Sequence, residues 1–182
     1  MTAPHGAEPA GVMTGLAPDD AGPARWPRPA AVPVSQVGRG DRVFEVLLVE
    51  DNPGDVRLVR EALAETDRRV DLHVVGDGEA AIAWLRGGGP AGRVRRPDLL
   101  LLDLNLPRRG GLEVLDDVKS DPLLRRIPVV VLTSSAAEHD VAGAYDRYAN
   151  CFVTKPLGLE DFVTAVREIA GFWLRSASLP RG

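Results

Sequence analysis

The chain has 182 residues, with 22 basic against 26 acidic side chains and a net charge of −4, which excludes an electrostatic case for nucleic acid or an anionic membrane as partner. Apolar residues at 45% and charged residues at 26% are those of a soluble globular protein, one domain with some chain to spare. Cys151, the single cysteine, rules out an internal disulfide; with no membrane-length apolar run and no signal-like leader, the expectation is a cytoplasmic protein.

Residues 1–40 stand apart. They hold seven prolines and six glycines and show no apolar periodicity, so they read as a disordered Pro/Gly/Ala-rich tail. Trp26 is its one residue with enough apolar area to dock.

From Asp41 onward strands and helices alternate. A first apolar strand, Phe44–Val49, runs into Glu50-Asp51. Asn52-Pro53 then supplies an N-cap and a first-turn proline for a helix whose Val56, Val59 and Leu63 fall near helical spacing. A second strand, Val70–Val75, leads through Asp77-Gly78 to a helix over Glu79–Arg86 with Ile82 and Leu85 facing inward, stopped by Gly87-Gly88-Gly89-Pro90. The following loop carries Arg93, Arg95 and Arg96.

Leu99–Leu102 is the third strand and ends on Asp103; Pro107 and Gly110-Gly111 lead into a helix with Leu112, Leu115 and Val118 inward. The fourth strand, Val129–Leu132, ends on Thr133 and precedes a weak helix near Ala137–Arg147, in which Gly143 costs about 1 kcal/mol relative to alanine. The fifth strand, Cys151–Thr154, ends on Lys155-Pro156. Phe162, Val166, Ile169 and Trp173 then mark a well-patterned last helix.

Five strand–helix alternations with nearly all-apolar inner strands predict an α/β fold, a doubly wound parallel sheet covered on both faces. Right-handed crossovers favour the flavodoxin-like order 2-1-3-4-5, which sets the first and third strands side by side at the switch point. The candidate chemistry gathers there. Two carboxylates about 4 Å apart repel by roughly 4 kcal/mol at an effective dielectric near 20, so Glu50, Asp51 and Asp103 together call for a cation or a proton. Hard oxygen donors open to solvent suit Mg²⁺. An acidic pair after a strand reads more readily as solvated loop, the third carboxylate balances the two readings, and Thr133 and Lys155 on the same edge turn the reading toward phosphate.

Leu47–Asn52, Leu101–Pro107, Val131–Ser135 and Val153–Pro156 together resemble, in wording, order and spacing, the receiver domain of a two-component response regulator. The resemblance implies a receiver over residues 41–175, with a short tail at 176–182. It implies that Asp103 accepts a phosphoryl group from a sensor histidine kinase. Mg²⁺ is then held by Asp51, Asp103 and the Asn105 backbone carbonyl, with Glu50 acting through water. Thr133 becomes the switch hydroxyl and Lys155 the cation that neutralises the phosphoryl group. Phe152 takes the aromatic switch position, with plain core packing as its alternative, and Asn105 and Ser135 tune dephosphorylation.

Asn52–Leu58, Asp103–Pro107 and Phe172–Pro180 further resemble single-domain regulators of bacterial phytochrome kinases. That subfamily implies light signalling and a homodimer through the face of the fourth helix, fifth strand and fifth helix, where Tyr145, Tyr148, Phe172 and Trp173 could supply the patch. The nine residues after Trp173 leave no room for an output module, so the protein is expected to act by contact or by passing its phosphate on, and not as an enzyme on a separate substrate. A receiver-like adaptor that binds a kinase without phosphorylation, and a small flavodoxin-like cofactor binder, are the competing readings. The scattered His5, His73 and His139 show no metal-ligand spacing.

Overall fold

The computed structural model describes residues 42–88 and 96–180. The expected N-terminal tail and the loop arginines Arg93 and Arg95 lie outside the described residues. Five parallel strands, β1 (Val43–Val49), β2 (Arg69–Val75), β3 (Leu99–Leu102), β4 (Val129–Thr133) and β5 (Cys151–Thr154), form one sheet in the order β2-β1-β3-β4-β5. This is the expected flavodoxin-like order, with β1 and β3 adjacent where the winding reverses.

Residues alternate in direction along each strand, so the apolar strands feed two cores. Leu47, Val49, Leu100, Leu102, Val129 and Val131 point to one face. There they meet Ala81 and Ile82 of α2 (Gly78–Ala83), Val114, Leu115 and Val118 of α3 (Gly111–Ser120), and Ala144 of α4 (Glu138–Asp146). Val46, Leu48, Leu99, Leu101, Val130 and Leu132 point to the other, against Val59, Ala62 and Leu63 of α1 (Pro53–Ala64) and Phe162, Val166 and Ile169 of α5 (Leu159–Ala170). Each fully buried Leu or Val contributes roughly 1.5–3 kcal/mol. β5 lies at the sheet edge and is only half-buried, Cys151 included.

Two helix ends depart from the expected 3.6-residue period. α2 stops at Ala83 and continues as a wide π-type turn over Trp84–Gly88, where Gly87 takes a φ of 122° that glycine alone accepts readily. α5 likewise widens over Gly171–Ser176. The extra residue per turn moves the core position along by one, so Leu174 is buried while Trp173 is half-buried with Phe172 exposed edge-on beside it.

Register places the strand-end residues on one edge. Val49 pairs with Leu102, Leu102 with Val131, and Thr133 with Thr154. Backbone bonds carry the alignment beyond the strands: Asp103 N donates to Val49 O at 3.0 Å and Lys155 N to Thr133 O at 2.7 Å.

Candidate functional site

The mouth of the sheet is acidic and centred on one ammonium. Lys155 Nζ donates to Glu50 Oε2 at 2.6 Å, to Asp103 Oδ2 at 2.7 Å and to Asp55 Oδ2 at 2.8 Å. Glu50 and Asp103 are buried, and Lys155 is nearly so at the side chain. Burial alone would lower the Lys155 amine, but the hydrogen bonds to Asp103, Asp55 and Glu50 outweigh it and hold its pKa well above the usual lysine value. Burial pushes Glu50 up, and Lys155 together with the Asn52 amide pulls it back only in part.

Glu50, Asp51 and Asp103 each offer a carboxylate oxygen, and these atoms lie within 4.8 Å of one another. Asp51 is exposed at the rim. Glu50, Asp55 and Asp103 share the Lys155 ammonium, and Asp51 stands beside Glu50 and Asp103. The Glu50, Asp51 and Asp103 donor set is hard, buried at two of its three carboxylates and undercompensated in positive charge, which fits a small divalent cation that retains water.

Sequence reasoning did not single out Asp55. It sits in the first turn of α1, where the Asn52 side-chain oxygen caps Gly54 N at 2.8 Å and Asp55 N at 3.3 Å. The cap that the Asn-Pro pair predicts therefore also delivers a fourth carboxylate to the site. Its partner lies 100 residues away, beyond the reach of any local pattern.

Thr133 is buried at the end of β4. Its hydroxyl accepts from Asn105 Nδ2 and from Ser135 N, both at 3.3 Å. The Asn105 amide also reaches Ser134 Oγ at 3.4 Å, and the Asn105 backbone N donates to Asp103 Oδ1 at 3.1 Å. Asn105 thus links the acceptor carboxylate to the β4 hydroxyl. The Ser135 hydroxyl is engaged elsewhere, donating to Asp140 in the first turn of α4 and accepting from Ala137 N. Phe152, half-buried on β5, packs on the same core as α3 and α4.

The loop after Asp103 is clamped by an ion pair to the start of α2. Pro107, Arg108 and Arg109 make a tight turn closed by Arg109 N to Pro107 O at 2.7 Å, with Arg108 at a φ of 65°. The Arg108 guanidinium is ion-paired to Asp77, a buried carboxylate that also caps α2 through Ala80 N. The Arg108–Asp77 clamp was not foreseen, because each residue reads locally as ordinary loop and cap.

A model of the response regulator receiver domain matches residues 46–167. The response regulator Rcp1 of Synechocystis is 46% identical over 135 residues, which span 74% of this chain and 92% of Rcp1. Among solved structures, the phosphorylated cyanobacterial phytochrome response regulator RcpA superposes with a TM-score of 0.74 at 46% identity, covering 77% of this chain and all of RcpA. The Mn²⁺-bound form of Rcp1 gives 0.73 at 45% identity, covering 76% of this chain and 99% of that one.

Proposed function

The chain belongs to the response regulator receiver domain family, and from that premise we propose that it is a stand-alone phosphoacceptor in a two-component phosphorelay. Residues 41–175 form the receiver, and Asp103 takes the phosphoryl group from a histidine kinase. The observation that carries this reading is Lys155 Nζ at 2.7 Å from Asp103 Oδ2, a cation set beside a buried carboxylate in a mouth that holds two more metal-type oxygens and a hydroxyl. A kinase-docking adaptor without chemistry would need none of these.

A carboxylate oxygen of Asp103 attacks phosphorus, the bond from phosphorus to the kinase imidazole nitrogen breaks, and the imidazole, protonated on its other ring nitrogen, leaves neutral with that electron pair. The product is an acyl phosphate. Asp51, Asp103 and the Asn105 carbonyl would hold Mg²⁺, with Glu50 acting through water; bound there, the cation offsets charge on the transferring oxygens. Lys155 neutralises a phosphoryl oxygen. Thr133 donates its hydroxyl to another, exchanging the Asn105 contact it makes at rest. Phosphorylation adds one to two units of negative charge, and withdrawal of Thr133 opens room for Phe152 beneath α4. Asn105 and Ser135 flank the path of the hydrolytic water.

The relation to Rcp1 and RcpA supports a phytochrome-type kinase as partner and a role in light signalling. A cytoplasmic homodimer through α4, β5 and α5 follows the same reading: Tyr145, Tyr148 and Phe172 are exposed, while Trp173 is half-buried. Among the described residues no helix is long and apolar enough to cross a membrane.

Incubation with acetyl phosphate and Mg²⁺ should add one phosphoryl group by mass, absent in Asp103→Asn. Failure of both labelling and Mg²⁺ binding refutes the reading. Phosphotransfer profiling against the host's kinases tests the light-signalling part, which a faster non-photoreceptor kinase would overturn. Sedimentation of the phosphorylated and free forms tests the dimer.

A further inference from the structure

Asp55 has no part in the chemistry above, yet it holds one of the three protons of the Lys155 ammonium. The other two go to Glu50 and Asp103, both of which the proposed reading assigns to the metal. The lysine and the cation therefore compete for the same two carboxylates. With Asp55 absent, every acceptor of the ammonium would be a group the metal also needs.

We propose that Asp55 is a positioning residue that anchors the Lys155 ammonium outside the metal's carboxylates, so that a divalent cation can engage Asp103 directly and Glu50 through water without expelling the lysine from the site. The inference rests on the phosphoacceptor reading and deepens it. Three features of the structure support it. Asp55 is rigidly placed, on a helix N-terminus with its amide held by the Asn52 cap and the chain set by Pro53. Its carboxylate is partly exposed, so its charge is cheaper to maintain than that of Glu50. Its 2.8 Å contact is comparable in length to the other two, so it is a full partner of the lysine rather than a distant counter-charge.

Loss of this anchor should act on metal affinity more than on the chemical step. In Asp55→Asn the ammonium falls back on Glu50 and Asp103, and the cation must displace it. The Kd for Mg²⁺ in the full chain, read by titration calorimetry, should rise roughly fivefold or more. The maximal rate of labelling by acetyl phosphate at saturating Mg²⁺ should fall by a smaller factor than the affinity, because the incoming phosphoryl oxygens give the displaced ammonium a new acceptor; simple damage to the fold would not produce that split. Asp55→Glu, which keeps the charge on a longer stem, should recover most of the affinity. If Asp55→Asn melts below the assay temperature, Asp55→Ser carries the same expectation.

A wild-type chain that binds no Mg²⁺ and takes up no phosphoryl group overturns the underlying reading, and the inference with it. A wild type that binds Mg²⁺ beside an Asp55→Asn variant of equal Kd overturns the inference alone. So does a variant whose maximal rate collapses while its affinity holds.

Discussion

Glu50 and Lys155, 105 positions apart, meet at 2.6 Å between the carboxyl ends of β1 and β5. The contact joins two strands that are not neighbours, across the ends of β3 and β4. Burial still leaves the Glu50 carboxyl above its ordinary value despite that partner.

The sign of the resulting pH dependence is set by which state holds the proton. The folded pKa of Glu50 is raised, so the stability linked to it is fully present below the ordinary value of 4.5 and is lost as pH rises through the folded pKa. Glu50→Gln removes that loss. Thermal melts should show the variant level with wild type near pH 4 and increasingly above it toward pH 7, while its Mg²⁺ affinity falls. Melting curves that stay parallel at every pH would contradict this. Lys155 does not blur the window, because its raised pKa keeps it charged throughout.

Gly111 and Gly110 are neighbours with opposite tolerances. A Cβ on Gly111 would sit 2.2 Å from the Asp103 carbonyl oxygen and 2.7 Å from Leu104 Cα, whereas one on Gly110 would meet nothing nearer than 3.6 Å. Gly111→Ala must therefore shift the backbone that carries the acceptor. We expect a loss of about 1–3 kcal/mol in urea unfolding and slower labelling of Asp103, with Gly110→Ala close to wild type in both. Equal behaviour of the two variants would show that the loop yields.

The fourth helix is built to be weak. It buries only Ala144, its N-cap residue Ala137 offers no side-chain acceptor, and it ends with Tyr148 at a φ of 61°. That end is a Schellman motif, with Tyr148 N bonded to Tyr145 O and Ala149 N to Ala144 O. A tyrosine stands where glycine is usual. Gly143→Ala should add roughly 0.5–1 kcal/mol, since the new methyl meets Arg147 and Leu112 only at 3.4–3.5 Å. If α4 carries the signal, the same change should reduce the shift in amide spectra on phosphorylation. A stabilised helix with an unchanged spectral response would separate α4 stability from switching.

The fold was readable because β3 is an uninterrupted apolar run, β4 is apolar up to Thr133, β1 is broken only by Glu45, and α1 and α2 have their own caps. The placement of Asp103, Thr133 and Lys155 on one edge was readable because each closes, or directly follows, a strand of the parallel sheet. Asp55 and the Asp77–Arg108 pair were not, because their partners are supplied by distant elements and leave no local period. Leu174 was hidden differently. The π-turn after α5 changes the residue count per turn, and an extrapolated 3.6 period points to Trp173 instead.

Lys119 poses the reverse problem from Lys155, a lysine drawn into the protein without a carboxylate. From the last turn of α3 its Nζ donates to Ile127 O and to Asn150 Oδ1, each at 2.9 Å. Asn150 Oδ1 also accepts from Val129 N at 2.9 Å, so one amide ties α3 and the start of β4 to the turn before β5. Both acceptors of the lysine are neutral, and burial lowers its pKa to about 8. Near pH 8 about half of it should be uncharged, against less than about 1% of an ordinary lysine. Between about 8 and the ordinary lysine value of 10.5 the unfolded chain binds more protons than the folded one, so stability linked to Lys119 rises with pH across that window. Relative to Lys119→Met, the wild type should gain stability in urea unfolding from pH 8 to 10 and show no such trend from pH 6 to 7. NMR of the methylated amine should titrate near 8. A midpoint above 10 with parallel unfolding curves would show that the two carbonyl oxygens hold the charge as well as water does.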